Sequence, residues 1–183
     1  MKNALILLGA PGSGKGTQSS LIADKFNLLT YCMGDIVRSE MSSETNLGKE
    51  MKGYITKGDL VPDEVIISMF NDNFNKNDNS NGFISDGFPR TVKQAEFLDN
   101  LLKDKGINSL ILLMDVEKEK LVERLLARKR FDDTKEVIEN RINTYNSEVS
   151  LILNYYGTRV MNINCDGQVD SIFLNILNII NNA

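Results

Sequence analysis

Ala4-Leu5-Ile6-Leu7-Leu8 runs without a break into Gly9-Ala10-Pro11-Gly12-Ser13-Gly14-Lys15-Gly16-Thr17, and this junction decides the fold. A continuous apolar run bounded by a glycine turn suits a strand buried on both faces of a parallel sheet. The glycines let successive backbone N–H groups point at one anion, and the helix pattern that starts at Lys15 adds its N-terminal partial positive charge. Lys15 supplies a point charge for distal phosphates. A plain glycine turn accounts for the bend but not for the lysine, the spacing and the helix start together. The commoner form of this loop ends Gly-Lys-Ser/Thr. Here Gly16 stands between Lys15 and Thr17, which makes a hydroxyl directly on a magnesium ion less assured.

Outward from this loop, short apolar runs alternate with amphipathic stretches. Strands are predicted at Ala4–Leu8, Leu28–Tyr31, Gly82–Ser85, Leu110–Asp115 and Val160–Asn164. Helices are predicted at Lys15–Phe26, Gly34–Met41, Gly48–Lys57, Pro62–Phe74, Val92–Lys105, Lys118–Lys129, Thr134–Tyr156 and Val169–Asn181. This alternation implies an α/β fold whose parallel sheet carries helices on both faces. Two helical stretches lie between Tyr31 and Pro62 where one would suffice, which suggests an inserted flap. The asparagine-rich segment Asn71–Gly82 reads as a polar loop closing a helix.

The composition narrows the chemistry. The chain has 183 residues, 42% apolar and 25% charged, about one domain's worth. Apolar runs such as Leu110–Met114 are far too short to span a bilayer. The N-terminal stretch starts like a signal peptide but breaks early into glycine and proline, so a cytoplasmic protein is expected. There is no histidine, which removes histidine triads, metal sites and general bases. Two cysteines, Cys32 and Cys165, can build neither a disulfide framework nor a four-ligand zinc site. A net charge of −4 gives no basic footprint for nucleic acid. Arginine is scarce: Arg38, Arg90, Arg124, Arg128, Arg130, Arg141 and Arg159. If these planar cations converge, their ligand is a small, highly charged anion, with phosphate the leading candidate.

Three blocks in order resemble the nucleoside monophosphate kinase family, adenylate kinases in particular. They are GAPGSGKGTQ (Gly9–Gln18), MGDIVR (Met33–Arg38) and DGFPRTVKQ (Asp86–Gln94). Weaker matches are GDLVPDEVI (Gly58–Ile66), the Arg124–Asp133 stretch, Arg141 and CDG (Cys165–Gly167). The resemblance implies a P-loop NTPase-type three-layer fold in a single domain over residues 1–183. Its sheet would have five parallel strands, residues 32–61 would form a small helical monophosphate-binding flap, and residues 127–133 a minimal lid. It implies transfer of a phosphoryl group from ATP to AMP, giving two ADP, with Mg²⁺ accompanying ATP and no zinc. The expected partners are these nucleotides alone, with no nucleic acid and no membrane, on a monomer.

By the same resemblance, Gly12, Ser13, Gly14, Lys15, Gly16 and Thr17 cradle the ATP phosphates. Arg124 stacks on the ATP base, Gln168 and Val169 lie against it, and Arg128 touches the transferring phosphate. Met33, Gly34, Arg38, Asp59, Leu60, Val61, Gly87, Phe88, Pro89, Arg90 and Gln94 line the AMP side, where Arg38 and Arg90 hold the phosphate. Arg130 and Arg141 close from the far side, so Lys15, Arg90, Arg128, Arg130 and Arg141 form the catalytic set. Read from the residues alone, Arg38, Arg124 and Arg128 could equally be solvated helix edges, and Asp166–Val169 a plain strand-to-helix turn. Asp86, ending a strand, is the better candidate to hold magnesium-bound water; Asp115 is second, and either could be a strand-terminal cap.

The amide of Gln94 offers both a donor and an acceptor, which suits the edge of adenine. Pyrimidine monophosphate kinases resemble this chain but typically carry Asn where it has Thr91 and Gln94. Two residues depart from the family pattern. Met33 stands where Thr or Ser is usual, and Asp59 where a basic residue is common. A pyrimidine monophosphate kinase is therefore one alternative, and a nucleotide-binding regulator or slow ATPase another. A dinucleotide-dependent oxidoreductase fails, because the glycines continue into Gly-Lys-Gly-Thr.

The lid is the largest departure, since only Lys129 separates Arg128 from Arg130, where family members carry a loop or a small domain. With so little cover, water is less well excluded from a bound nucleotide. The chain should release phosphate from ATP with no acceptor present, and a negligible rate at saturating ATP alone would contradict this.

Overall fold

The computed structural model describes residues 3–128, 130 and 133–182. Five strands, β1 Asn3–Leu8, β2 Leu29–Cys32, β3 Phe83–Asp86, β4 Asn108–Asp115 and β5 Val160–Asn164, form one parallel sheet in the order β2-β3-β1-β4-β5. The helices are α1 Lys15–Phe26, α2 Met33–Ser42, α3 Asn46–Ile55, α4 Asp63–Lys76, α5 Val92–Lys105, α6 Lys118–Arg128, α7 Lys135–Tyr156 and α8 Val169–Asn182.

Side chains alternate across a strand, so β1 feeds two cores. Ala4, Ile6 and Leu8 join Phe70, Phe83, Phe88 and Leu98 on one face of the sheet. Leu5 and Leu7 join Ile22, Leu112, Ile172 and Ile176 on the other. A third, smaller cluster of Ala10, Leu121, Leu125, Ile138 and Ile142 packs α6 and α7 beside the glycine loop. The sheet, with helices packed on each of its two faces, gives the three layers expected for the fold. The chain leaves β1 toward β2 on one side and later crosses to β4 on the other. The loops after β1 and β3 thus open at the carboxyl ends of central strands, where open α/β sheets bind ligands.

The elements agree with the sequence reading to within one or two residues, apart from the asparagine-rich segment. Helix α4 continues to Lys76, so Asn71–Lys76 is helical and only residues 77–82 form the loop. Buried Phe70 and Phe74, one turn apart, anchor this end of the helix and outweigh the weak helix propensity of asparagine. The asparagines also bond back along the chain: Asn73 Nδ2 to the Met69 carbonyl at 2.8 Å, Asn77 Nδ2 to that of Asn73 at 2.7 Å and Asn79 Nδ2 to that of Phe74 at 2.9 Å. As the surplus of helical pattern implied, both α2 and α3 precede α4. Thr45, Thr91 and Thr134 cap α3, α5 and α7, each accepting from the N–H three residues on.

Phe70 is fully buried, with its ring stacked on Phe88 at 4.4 Å and tilted against Tyr31 at 5.4 Å. Phe70→Ala should lower stability by about 3–5 kcal/mol, the range for emptying an aromatic site in a packed core. Urea unfolding checks this, and a loss below about 1 kcal/mol would contradict the packing.

Candidate functional site

The loop between β1 and α1 is shaped by backbone conformations that side chains would obstruct. A Cβ on Gly9 (φ 151°) would stand 2.7 Å from Ser13 Oγ and 2.8 Å from the Met114 carbonyl oxygen, and one on Gly12 (φ 87°) 2.9 Å from the Leu121 carbonyl oxygen. Gly14 opens α1 without a capping side chain, so the helix N-terminus faces the loop through backbone alone. Lys15 folds over this loop: its Nζ donates to the carbonyls of Gly9 (2.7 Å) and Ala10 (3.0 Å) and to Ser13 Oγ (3.3 Å). Loss of water brings its pKa down to about 8; Asp86 opposes that shift, while Arg90 and Arg128 add to it.

The loop forms one wall of a cavity of about 790 Å³. The other walls come from α2, the segment after α3, the loop after β3, α6 and α7. Six of the seven arginines line it: Arg38, Arg90, Arg124, Arg128, Arg130 and Arg141. So do Gly12 to Thr17, Met33, Gly34, Asp59, Leu60, Val61, Asp86, Gly87, Pro89, Gln94 and Val169. Two residues assigned to the site by sequence do not line the cavity. Phe88 packs its ring into the core against Phe70. Gln168 is exposed, and its carbonyl accepts the Ile172 N–H at 3.1 Å as α8 begins. The seventh arginine, Arg159, lies elsewhere: it bonds Asp99 at 2.7 Å and sits 4.8 Å from the Tyr156 ring, tying the start of β5 to α5.

Anchors within the protein hold five of the cavity arginines. Arg38 pairs with Asp35, and Gly34 leaves room for it, since a Cβ there would stand 3.2 Å from both terminal nitrogens. Arg90 Nε donates to the Gly87 carbonyl at 2.9 Å. Arg124 reaches the Cys165 carbonyl at 3.0 Å, touching the turn between β5 and α8. Arg128 grips Asp133 with two bonds, Nε at 2.8 Å and Nη2 at 2.7 Å, and Arg141 Nη1 meets the same carboxylate at 3.2 Å.

These anchors leave the cations crowded. Desolvation pulls the Arg90 pKa down; Asp86 opposes that shift, while Arg141 and Arg38 add to it. Desolvation, then Arg38 and Arg128, do the same to Arg130. Such a group of partly dehydrated cations is matched by a polyanion.

Polar partners escaped the sequence reading. Asp133, with a side chain 0% exposed, bridges Arg128 and Arg141; beside Asp132, nothing local marks it out. Asn140 Nδ2 donates to the Lys57 carbonyl (2.7 Å) and to Asp59 Oδ1 (2.9 Å), which explains the acid at position 59: it joins the segment after α3 to α7. Gln94 has both ends of its amide engaged, Oε1 accepting the Arg90 N–H and Nε2 donating to Asp63, each at 2.7 Å. Tyr145 of α7 also lines the cavity, its phenol pushed up to about 12 by burial and then by Asp115.

Asp86 ends β3 buried, its Oδ2 3.6 Å from where a Cβ on Gly16 would stand, so its carboxylate faces the start of α1. Asp115 is exposed and does not line the cavity. Among the described residues no group of three acids or cysteines is placed to hold a metal ion. Nor is any helix among them long and apolar enough to cross a membrane.

Burial works against ionisation of Asp133, but bonding from Arg128 and the charges of Arg128 and Arg141 hold its pKa below the ordinary 3.8. Its contribution to stability is therefore present above pH 3.8 and fades as pH falls through the lower folded value. Asp133→Asn should cost about 1.5–3 kcal/mol at pH 7, the range for hydrogen bonds to a charged group. The gap to the parent should shrink below pH 4 in denaturant titrations, and a gap independent of pH would contradict the assignment.

Residues 7–161 match the family model described as adenylate kinase. Among the relatives, the adenylate kinase of Mycobacteroides abscessus is 44% identical over 170 residues, covering 92% of this chain and 94% of its own. That of Corynebacterium aurimucosum is 42% identical over 168 residues, 91% of this chain and 93% of its own. That of Azobacteroides pseudotrichonymphae is 40% identical over 183 residues and 96% of both chains. With its parallel sheet, its glycine loop and its arginine-lined cavity, the chain belongs to the adenylate kinase family of phosphotransferases.

Proposed function

We propose that this nucleoside monophosphate kinase transfers the terminal phosphoryl group of ATP to AMP, giving two ADP, and runs the reaction in both directions. One observation carries the reading: six arginines and Lys15, from distant parts of the chain, line a single cavity between the glycine loop and the α2–α3 segment. A site for one nucleotide has no need of Arg38 and Arg90 facing the loop from the other side.

The acceptor is a phosphate oxygen whose last proton has a pKa of about 6. At neutral pH it is already a nucleophile, so a chain without histidine lacks nothing. An oxygen of the AMP phosphate bonds to the γ-phosphorus as the bond to the β–γ bridging oxygen breaks, and that oxygen leaves with ADP. The protein's part is positioning and charge neutralisation. The backbone of Gly12–Thr17 holds the ATP phosphates, and Lys15 exchanges the Gly9 and Ala10 carbonyls for phosphate oxygens. Arg38 and Arg90 hold the AMP phosphate. Arg128, Arg130 and Arg141 neutralise the charge that spreads over the transferring group. Arg124 and Val169 face the ATP base, and Gln94, with Met33 and the Asp59–Val61 segment, receives the AMP base.

Magnesium fits this site as a companion of ATP. A lone buried carboxylate beside the loop suits a hard cation that keeps most of its water and phosphate ligands. Asp86 would hold it through water, and the ion would supply charge neutralisation on the phosphates.

Residues 32–61 serve as the monophosphate flap, latched to α7 by Asn140. Residues 127–133 serve as the lid, of which Lys129, Phe131 and Asp132 lie outside the described residues. The protein works as a cytoplasmic monomer on free nucleotides.

A coupled assay for ADP with ATP and each of AMP, CMP, UMP and GMP tests the reading. AMP should be strongly preferred, and turnover of CMP or UMP alone would overturn it. Arg90→Ala should lower turnover at least about tenfold with thermal unfolding unchanged, because no apolar packing is lost.

A further inference from the structure

Gln94, assigned above to the acceptor base, is only 1% exposed. A primary amide has two N–H donors and an oxygen with two lone pairs, and half a turn of its last torsion exchanges them. That half-turn determines which purine it can pair with. Along the edge an amide reads, adenine presents an amino donor beside a ring acceptor, whereas guanine presents a carbonyl acceptor beside an N–H donor. An amide in one orientation fits adenine, and the flipped amide fits guanine. Choosing between them requires the amide to be locked.

Two groups of fixed polarity lock it. The Arg90 backbone N–H donates to Gln94 Oε1 at 2.7 Å, and Gln94 Nε2 donates to Asp63 Oδ1 at 2.7 Å. An N–H can only donate and an ionised carboxylate can only accept, so a flip would set donor against donor at one end and acceptor against acceptor at the other. One N–H and one lone pair are left for a base. Asp63 is held in turn, because the same oxygen accepts the Thr91 hydroxyl at 2.9 Å, while Thr91 Oγ1 caps α5 by accepting the Gln94 N–H at 3.2 Å. Asp63 begins α4, two residues after Val61 in the cavity wall.

We propose that Asp63 is a specificity-determining positioning residue, which holds the Gln94 amide in the orientation that accepts adenine and rejects guanine. This rests on the reading of Gln94 as the acceptor-base contact. An asparagine at position 63 could present either its oxygen or its nitrogen to Gln94, which removes one of the two locks and leaves only the Arg90 N–H to oppose a flip.

The experiment measures kcat and KM for AMP and GMP at saturating ATP in the parent and in Asp63→Asn, with thermal unfolding of each. The AMP-to-GMP ratio of kcat/KM should fall about tenfold or more, chiefly through KM, with the KM for ATP within twofold of the parent. A ratio within twofold of the parent overturns the proposal while leaving the kinase reading intact. A parent that prefers CMP or UMP overturns both. In a Gln94→Ala background, Asp63→Asn should leave the ratio where Gln94→Ala alone puts it; a further fall of similar size would show that Asp63 acts by another route. If Asp63→Asn does not fold, the parent itself decides through the proton resonances of the Gln94 side-chain amide. AMP should shift the free Nε2 proton and GMP at equal concentration should not, and equal shifts overturn the proposal.

Discussion

Like charges resist being gathered, and the fold has to overcome that resistance around one cavity. Two unit charges 4 Å apart repel by about 4 kcal/mol at an effective dielectric constant of 20. Six arginines and a lysine nevertheless line the same space in a chain whose net charge is −4. They are kept there by anchors within the protein: Asp35 for Arg38, the Gly87 carbonyl for Arg90, the Cys165 carbonyl for Arg124, and Asp133 for Arg128 and Arg141. Lys15 leans on its own loop. These anchors orient the cations and include two carboxylates, Asp35 and Asp133. On the proposed reaction, a chain of phosphates supplies further counter-charge.

The sheet makes the gathering possible. Central β1 and β3 end at the same edge, so the glycine loop and the Asp86–Arg90 loop are neighbours in space though far apart in sequence. Behind them, Phe70 stacked on Phe88 fixes the second loop to the core. The sheet and its packed helices carry the loop backbones, while the α2–α3 segment and the Arg128–Asp133 pair complete the ring from outside. On the proposed reaction, that division lets two nucleotides enter a cavity whose chemistry is already arranged.

Much of this was legible in the sequence, for identifiable reasons. The β1 run and its glycine loop are local patterns, and local sterics and polarity translate them directly into structure. The arginines were legible because they are scarce, which turned their placement into information. What stayed hidden was their polar company. Asp63 at the start of α4 needs no reason beyond the helix dipole until its bond to Gln94 is seen. Asp133 gains its meaning only from the folding of α7 against α6. Phe88 sits inside a motif that the family resemblance assigns to the acceptor site, yet its side chain packs into the core, and the spacing of a motif cannot separate those uses. The asparagines of α4 misled because their intrinsic preference is overruled by two buried phenylalanines.

The most direct measurement is a crystal structure with a bisubstrate mimic, two adenosines joined through five phosphates. The account predicts Lys15, Arg38, Arg90, Arg128, Arg130 and Arg141 within hydrogen-bond distance of one continuous phosphate chain, with Lys15 released from the Gly9 carbonyl. Arg38, Arg90 and Arg141 turned out into bulk solvent beside the bound mimic would contradict it.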